Sequence, residues 1–483
     1  MKVCLLNDSF PPVIDGVANT VMNYADILTK SGKAEALVGT PRYPDATYDQ
    51  YPYRVVPYRS FDTTGLMMGY RAGNPLTMNA IREMTEFQPD LIHTHCPVSS
   101  TIMARILRNE TGAPIVLTYH TKYDVDLARA VKAELLREGG IRTMVNNIEA
   151  CDEVWTVSEG AGESLQALGY QGEYRVMANG VDFPKGRVAE EEVKKATEGY
   201  DLPADVPVFL FVGRIMKYKG LPIILEGLSK WATDSGTDFR MVFVGGGADR
   251  EEMIADAKRY GFTVDVTGED GVIVQGEQGS LIGKCIFTGP VYDRDVLRAW
   301  NTRCDLFLFP STYDTNGIVV REAAACGLAS VLIKDSCAAE GIADGRNGYL
   351  IEENGDSLAA LLRKIGHDRQ AMHKGGQHAM DEIYISWDDS VARAFDRYQA
   401  VLDLKNSGKL PARRHRKTEF FLNQAAVFAE DTEELFRMPK YLYDDMRENV
   451  TEFMDEARGH IKEFRAYVRT EVKEKRAHFK KES

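Results

Sequence analysis

Two carboxylates, Asp314 and Glu322, flank a glycine in the run PSTYDTNGIVVREAAACG (310–327). The apolar stretch Leu306–Phe309 before them reads as a strand, and the residues from about Gly317 onward read as a helix. A chain that turns at a glycine and then begins a helix presents backbone N–H groups without intrahelical partners, and these suit a phosphate. Carboxylates beside such a turn can accept hydrogen bonds from sugar hydroxyls. The combination predicts a nucleotide-sugar site at the carboxyl end of a parallel strand, where ligands of open α/β sheets gather.

Three further segments carry residues that could join such a site. In VGRIMKYKG (212–220), Arg214, Lys217 and Lys219 directly follow the strand-like run Val208–Val212. Two cations in that loop would neutralise a diphosphate without a metal, although a solvated basic loop is the plainer alternative. In VLTYHTKYD (116–124), His120 falls at a strand's carboxyl end. His93 and His95 alternate in PDLIHTHCP (89–97). Alternating histidines can hold a metal, but no third ligand is near them in sequence, so a structural role is the stronger reading. Finally, Asp15-Gly16 in NDSFPPVIDGVANTV (7–21) precedes a helical pattern. Gly16 would let the backbone approach a ligand, and the helix start would favour an anion; a strand–turn–helix junction also calls for glycine in its own right.

These residues need strands and helices to carry them. Short β-rich runs alternate with helical patterns through the first 180 or so residues and again after residue 207, which predicts two parallel sheets covered by helices. The expected organisation is a first Rossmann-like domain over 1–182, a charged linker over 183–206 and a second such domain over 207–385. A closing helix (386–404) and a helical tail (405–483) follow. Thr263–Gly283 breaks the rhythm and reads as an inserted hairpin around TGEDG. After Pro439 apolar residues recur every three or four positions, the pattern of an amphipathic helix.

Composition narrows the class. At 483 residues the chain exceeds a single core, and 44% hydrophobic with 27% charged residues is ordinary for a globular protein. No apolar run is long enough to span a membrane. MKVCLLNDSF reads as a first strand, not a signal peptide. The seven cysteines lack any C-x-x-C, as reduced thiols in a cytoplasmic protein would. A net charge of −13 argues against nucleic acid as a partner. The tail is charge-balanced, with 16 basic and 15 acidic side chains from 411 onward, so the acidity lies in the body. A nearly neutral helix is a weak binder of anionic lipid, so packing or self-association is favoured for the tail over membrane contact.

Taken together, FPPVIDGVANTV, PDLIHTH, TYHT, ANGVD (178–182), GRIMKYKG, VGGG, FTGPV (287–291), PSTYDTNGIVVREAAACG and GRNGYL (345–350) resemble the retaining glycosyltransferases of family 4. The match covers roughly residues 1–404. It departs where the family's first acidic residue, usually Glu, is Asp314, and where Asn316 replaces the aromatic that usually precedes the glycine. The resemblance implies the GT-B architecture, two Rossmann-like domains facing a central cleft, here with a C-terminal amphipathic helical extension. It implies that Arg214 and Lys219 bind the donor's diphosphate and that Gly317–Ile318, beside Asn316, add backbone donors. Glu322 would accept ribose hydroxyls, Asp314 would lie near the transferred sugar, and His120 would bond its hydroxyls. Gly16 would approach the phosphates or the acceptor. No metal or cofactor is implied beyond the nucleoside-diphosphate sugar, with UDP-glucose placed ahead of GDP-mannose. The opening pattern is similar to the branch that glycosylates diacylglycerol and related lipids, which implies work at the inner face of the membrane. A sugar-nucleotide epimerase and a non-catalytic scaffold of the same fold stand as rivals. An NAD-binding oxidoreductase does not, since no G-x-G-x-x-G follows either domain's first strand.

Overall fold

Apolar runs such as residues 208–211 and Leu306–Phe309 are buried along their length, as strands covered by helices on both faces require. The computed structural model describes residues 1–13, 15–44, 46–63, 71–120, 134–315, 317–411, 422 and 425. The chain divides into two compact units, Met1–Leu422 and Asn423–Ser483. Within the second, only Ala425 is described, so the helical tail expected beyond residue 411 lies almost wholly outside the described residues.

The first lobe contains β1 (Lys2–Leu6), α1 (Gly16–Lys30), β2 (Glu35–Pro41), β3 (Arg54–Tyr58), β4 (Ser60–Asp62) and β5 (Arg71–Gly73). It continues through α2 (Met78–Glu86), β6 (Leu91–Thr94), α3 (Ser99–Thr111), β7 (Ile115–Tyr119), α4 (Glu134–Glu149), β8 (Glu153–Thr156), α5 (Glu159–Ala167) and β9 (Arg175–Val176). Its parallel sheet runs β3-β2-β1-β6-β7-β8-β9 among the described residues. The order reverses at β1, so the crevice between the carboxyl ends of β1 and β6 is a topological switch point. The small antiparallel pair β4–β5 was not expected from sequence.

The second lobe holds α6 (Glu190–Ala196), β10 (Val208–Val212), α7 (Leu221–Ser235), β11 (Arg240–Val244), α8 (Arg250–Arg259), β12 (Thr263–Thr267), β13 (Ile273–Val274) and β14 (Lys284–Gly289). Then come α9 (Arg294–Arg303), β15 (Leu306–Phe309), α10 (Ile318–Ala325), β16 (Ser330–Ile333), β17 (Tyr349–Ile351), α11 (Gly355–Ile365), α12 (Arg369–Glu382) and α13 (Trp387–Asn406). The sheet order is β13-β12-β14-β11-β10-β15-β16-β17, with its switch point between β10 and β15. These are the two strands that lead into the Lys219 and Asp314 loops.

Two segments hold more structure than their sequence announces. The segment 183–206, expected as a charged linker between the lobes, also packs on the second lobe. It forms α6, which packs on α9, and Tyr200 meets Trp300 edge-on at 5.1 Å while its hydroxyl lies 2.9 Å from Thr267 Oγ1. Val193 is buried and Tyr200 and Leu202 pack on the second lobe's core, so its few apolar residues anchor a charged surface helix. The hairpin at 263–283 forms, but its first arm is a strand of the main sheet, paired parallel with β14, and only β13 is added.

The closing helix α13 belongs physically to the first lobe. Trp387, Val391, Ala394, Tyr398 and Val401 share a core with Val3, Leu5, Tyr24, Val116 and Trp155, and Tyr398 stacks on Trp155 at 5.4 Å. None of the seven cysteines, all of them described, forms a disulfide. Among the described residues no helix is long and apolar enough to cross a membrane.

Candidate active site

The loop after β10 ends in a single 3-10 turn, Lys217–Lys219, closed by Gly220 at φ 80°. A Cβ on Gly220 would lie 1.9 Å from the Pro310 carbonyl oxygen, so only glycine lets this loop press against the one following β15. That contact sets Lys219 beside Asp314. Lys219 Nζ donates to Asp314 Oδ1 at 2.8 Å and Oδ2 at 3.0 Å, and Ser311 Oγ donates to Oδ2 at 2.6 Å. Lys219 is buried, with its ammonium 5.5 Å from the Phe309 ring centroid.

The other two basic residues of the loop part company. Lys217 turns to Glu252 and Asp256 on α8 and its backbone N–H donates to Asp249. Arg214 is exposed, contacts the Tyr218 hydroxyl at 3.5 Å and makes no ion pair among the described residues.

Helix α10 starts one residue after Gly317, which adopts φ 55°. Among the described residues no side chain caps it, and its first turn carries no acidic residue. Val320 N–H donates to the Gly317 carbonyl, so the N–H groups left for an anion are those at Gly317–Val319, close in sequence to Asp314. Asn316 lies outside the described residues.

Glu322, further along α10, is buried and paired with Arg294 at the start of α9. Burial pushes its carboxyl up, Arg294 pulls it back, and Asp182 adds to the rise. Arg294 in turn lies 3.6 Å from Asp182 and 4.4 Å above the Phe183 ring. Sequence reasoning missed Arg294, although it follows the glycine turn FTGPV as the one cation of YDRD.

From the first lobe, His120 at the end of β7 reaches the same place. Its carbonyl accepts from Thr315 Oγ1 at 2.7 Å, and the Thr315 carbonyl accepts from Ser158 Oγ at 2.5 Å. Glu340 crosses the cleft as well, accepting from the N–H groups of Glu159 at 2.8 Å and Gly160 at 2.7 Å at the start of α5. His120, Thr315, Asp314 and Lys219 thus adjoin one interlobe crevice.

The histidine pair gains the third member that sequence spacing lacked. His93 binds Tyr398 OH through Nδ1 at 2.5 Å and Thr118 Oγ1 through Nε2 at 2.7 Å, and His95 Nδ1 lies 3.0 Å from His120 Nε2. Those nitrogens are engaged in hydrogen bonds, which is a structural network. Burial holds all three rings well below the usual histidine range, hence neutral.

Gly16, expected to approach a ligand, heads α1. The Asp15 carboxylate already accepts from Val17 N at 2.8 Å and Ala18 N at 2.7 Å, so α1 caps itself with its own anion. A Cβ on Gly16 would meet nothing within 4 Å. Among the described residues no hydrogen bond links Gly16 to His120, Lys219 or Asp314. At the first lobe's switch point, Asp8 was overlooked. It accepts from Ser100 N at 2.8 Å and Tyr58 OH at 3.3 Å, and desolvation pushes its carboxyl up to about 6. Its position just past β1 was the available signal.

Comparison with known proteins assigns each lobe. The model for Glycosyltransferase Family 4 matches residues 14–184 and that for Glycosyl transferases group 1 matches 193–381. The sulfoquinovosyl transferase SQD2 of Arabidopsis thaliana is 25% identical over 388 residues, covering 76% of this chain and 67% of that protein. The alpha-monoglucosyldiacylglycerol synthase of Acholeplasma laidlawii is 22% identical over 388 residues, covering 77% and 88%. Among solved structures, Anabaena HepE in complex with UDP superposes with a TM-score of 0.62 at 17% identity, covering 83% of this chain and all of that one.

Proposed function

We propose that this chain, which belongs to the family 4 glycosyltransferases of GT-B fold, moves a hexose from a nucleoside diphosphate to a lipid hydroxyl with retention and without a metal. The observation that carries this reading is the Lys219–Asp314 contact at the β10/β15 switch point. Beside it stand Arg214, which makes no ion pair among the described residues, and the helix start at Gly317, which has no side-chain cap among them.

In this reading the diphosphate lies between Lys219, Arg214 and the first N–H groups of α10. Glu322, held by Arg294, accepts from the ribose hydroxyls. Asp314 and His120 hold hydroxyls of the hexose. The bond from the anomeric carbon to the phosphate oxygen breaks, and its electron pair leaves on the diphosphate. The acceptor oxygen adds to the same face, and its proton passes to the departing phosphate oxygen. Cations and backbone dipoles aimed at that growing charge lower the barrier, each preorganised donor supplying on the order of 2.7–4 kcal/mol. UDP-glucose is the proposed donor, supported by HepE having been solved with UDP and with UDP-glucose. A diacylglycerol-type acceptor is supported by the product named for the Acholeplasma relative. Such an acceptor places the work at a membrane surface, while the tail is proposed to pack or self-associate.

A panel of UDP-, GDP- and ADP-hexoses followed by thermal shift tests the donor. A ligand at a hundredfold its dissociation constant stabilises by about 2.7 kcal/mol. UDP-glucose is expected to respond most strongly and to glucosylate diacylglycerol in mixed micelles with the α configuration kept. Silence from every sugar nucleotide would overturn the reading. For the tail, removing residues 411–483 should change the number of chains in the sedimenting particle or the stability; an unchanged number of chains with lost liposome binding would assign it to the membrane instead.

A further inference from the structure

We infer that His95 sets the tautomer of His120, so that His120 carries its ring hydrogen on Nδ1 and meets the transferred hexose only as a hydrogen-bond donor. The functional half of this inference rests on the hexose contact proposed above for His120; the tautomer itself does not.

His95 Nδ1 and His120 Nε2 face each other at 3.0 Å, so a single hydrogen lies between them. Both rings are neutral, since burial disfavours the imidazolium; His120 is pushed down to about 3. Two arrangements remain. If His120 Nε2–H donates, His95 must hold its own hydrogen on Nε2. That atom is buried and has no hydrogen-bond partner among the described residues. The ring is walled by His93 at 4.0 Å and by the edge-on ring of Tyr24 at 5.6 Å. A buried N–H without an acceptor is among the rarest and costliest defects in folded proteins. If His95 Nδ1–H donates instead, Nε2 is left as a bare lone pair, the lesser defect. The second arrangement wins.

It follows that His120 Nε2 is spent as an acceptor and Nδ1 bears the ring's hydrogen. A neutral Nδ1–H donates to a hydroxyl oxygen and has no lone pair with which to take a proton. His120 therefore orients the hexose and is no general base, and His95 acts through it as a positioning residue. His93 does not compete for the role, because Tyr398 and Thr118 engage both its nitrogens.

The test reads the ring nitrogens directly. Full-length protein is labelled with 15N-histidine, and long-range proton–nitrogen correlations are recorded without ligand at about pH 7. The chain has nine histidines, few enough to assign His120 by its loss in H120Q. The expected result is the Nδ1–H form for His120. His95→Asn, whose amide can donate where Nδ1–H did, should keep it, and His95→Phe should release it to the other form or a mixture. In transfer assays His95→Phe should lower kcat about tenfold, the worth of one net hydrogen bond, with donor KM little changed, and His95→Asn should recover most of the loss. A wild-type spectrum with His120 protonated at Nε2 would overturn the inference, and it needs neither variant to fold. Absence of any transferase activity would sink the proposed function while leaving the spectrum to decide the tautomer.

Discussion

Glu322 concentrates the electrostatic tension of the site in one side chain. It sits in a buried position that favours the neutral acid, and the nearby Arg294 only partly offsets that. A carboxyl raised above its ordinary value near 4.5 contributes stability below that value and loses it as pH rises through the raised one. At neutral pH the charged form therefore costs the fold something, which ribose hydroxyls would recover on binding. Glu322→Gln should raise the melting temperature of the ligand-free protein at about pH 8, shift it less at about pH 4, and weaken binding of the nucleotide sugar. Melting curves at the two pH values check this; a lower midpoint at pH 8 would contradict it. The residue scale is also where sequence was most one-sided. Asp314, Lys219 and Glu322 were visible because glycine turns and strand ends marked them. Arg294 was not, because its pairing with Glu322 exists only once α9 and α10 lie side by side. Likewise, the Asp15 carboxylate that caps α1 was in view, but its hydrogen bonds were not.

Among the elements, the parallel strands were legible because strands buried on both faces leave unbroken apolar runs. The β4–β5 pair was not, its arms being three residues each and partly exposed. Segment 183–206 has the composition of a linker, and only the fold shows that its few apolar side chains pin it to the second lobe. The destination of α13 was equally hidden. Its apolar spacing announced a helix, but only the fold shows that it closes the first lobe, through Tyr398 against His93 and Trp155. That link can be tested alone. Tyr398→Phe removes the hydroxyl and leaves His93 Nδ1 buried without its partner, at a cost of about 1–3 kcal/mol. Denaturant unfolding should register the loss with the donor dissociation constant unchanged. A variant as stable as the parent would show that the hydroxyl is not what ties α13 to the sheet.

At the scale of the whole catalytic body, the two lobes are joined across the crevice by few groups. Glu340 of the second lobe occupies the start of α5 in the first, where a carboxylate gains from the helix dipole by about 0.3–1 kcal/mol, more when partly buried. The contact is tight, for a Cβ on Gly160 would come within 2.6 Å of Cys337 Sγ. Glu340→Ala should loosen the lobes, seen as a larger radius of gyration by small-angle scattering without ligand and a raised donor KM; an unchanged radius would assign closure to Ser158, Thr315 and His120 instead. The claim on which the account stands is that side chains and backbone dipoles alone carry the charge of the departing diphosphate. The most direct measurement is the rate of hexose transfer from UDP-glucose in excess EDTA, for the parent protein beside Arg214→Ala and Lys219→Met. The account predicts that EDTA leaves the parent rate unaltered and that each substitution lowers it by roughly 10²–10³-fold. A parent rate abolished by EDTA, or variants that turn over like the parent, would contradict it.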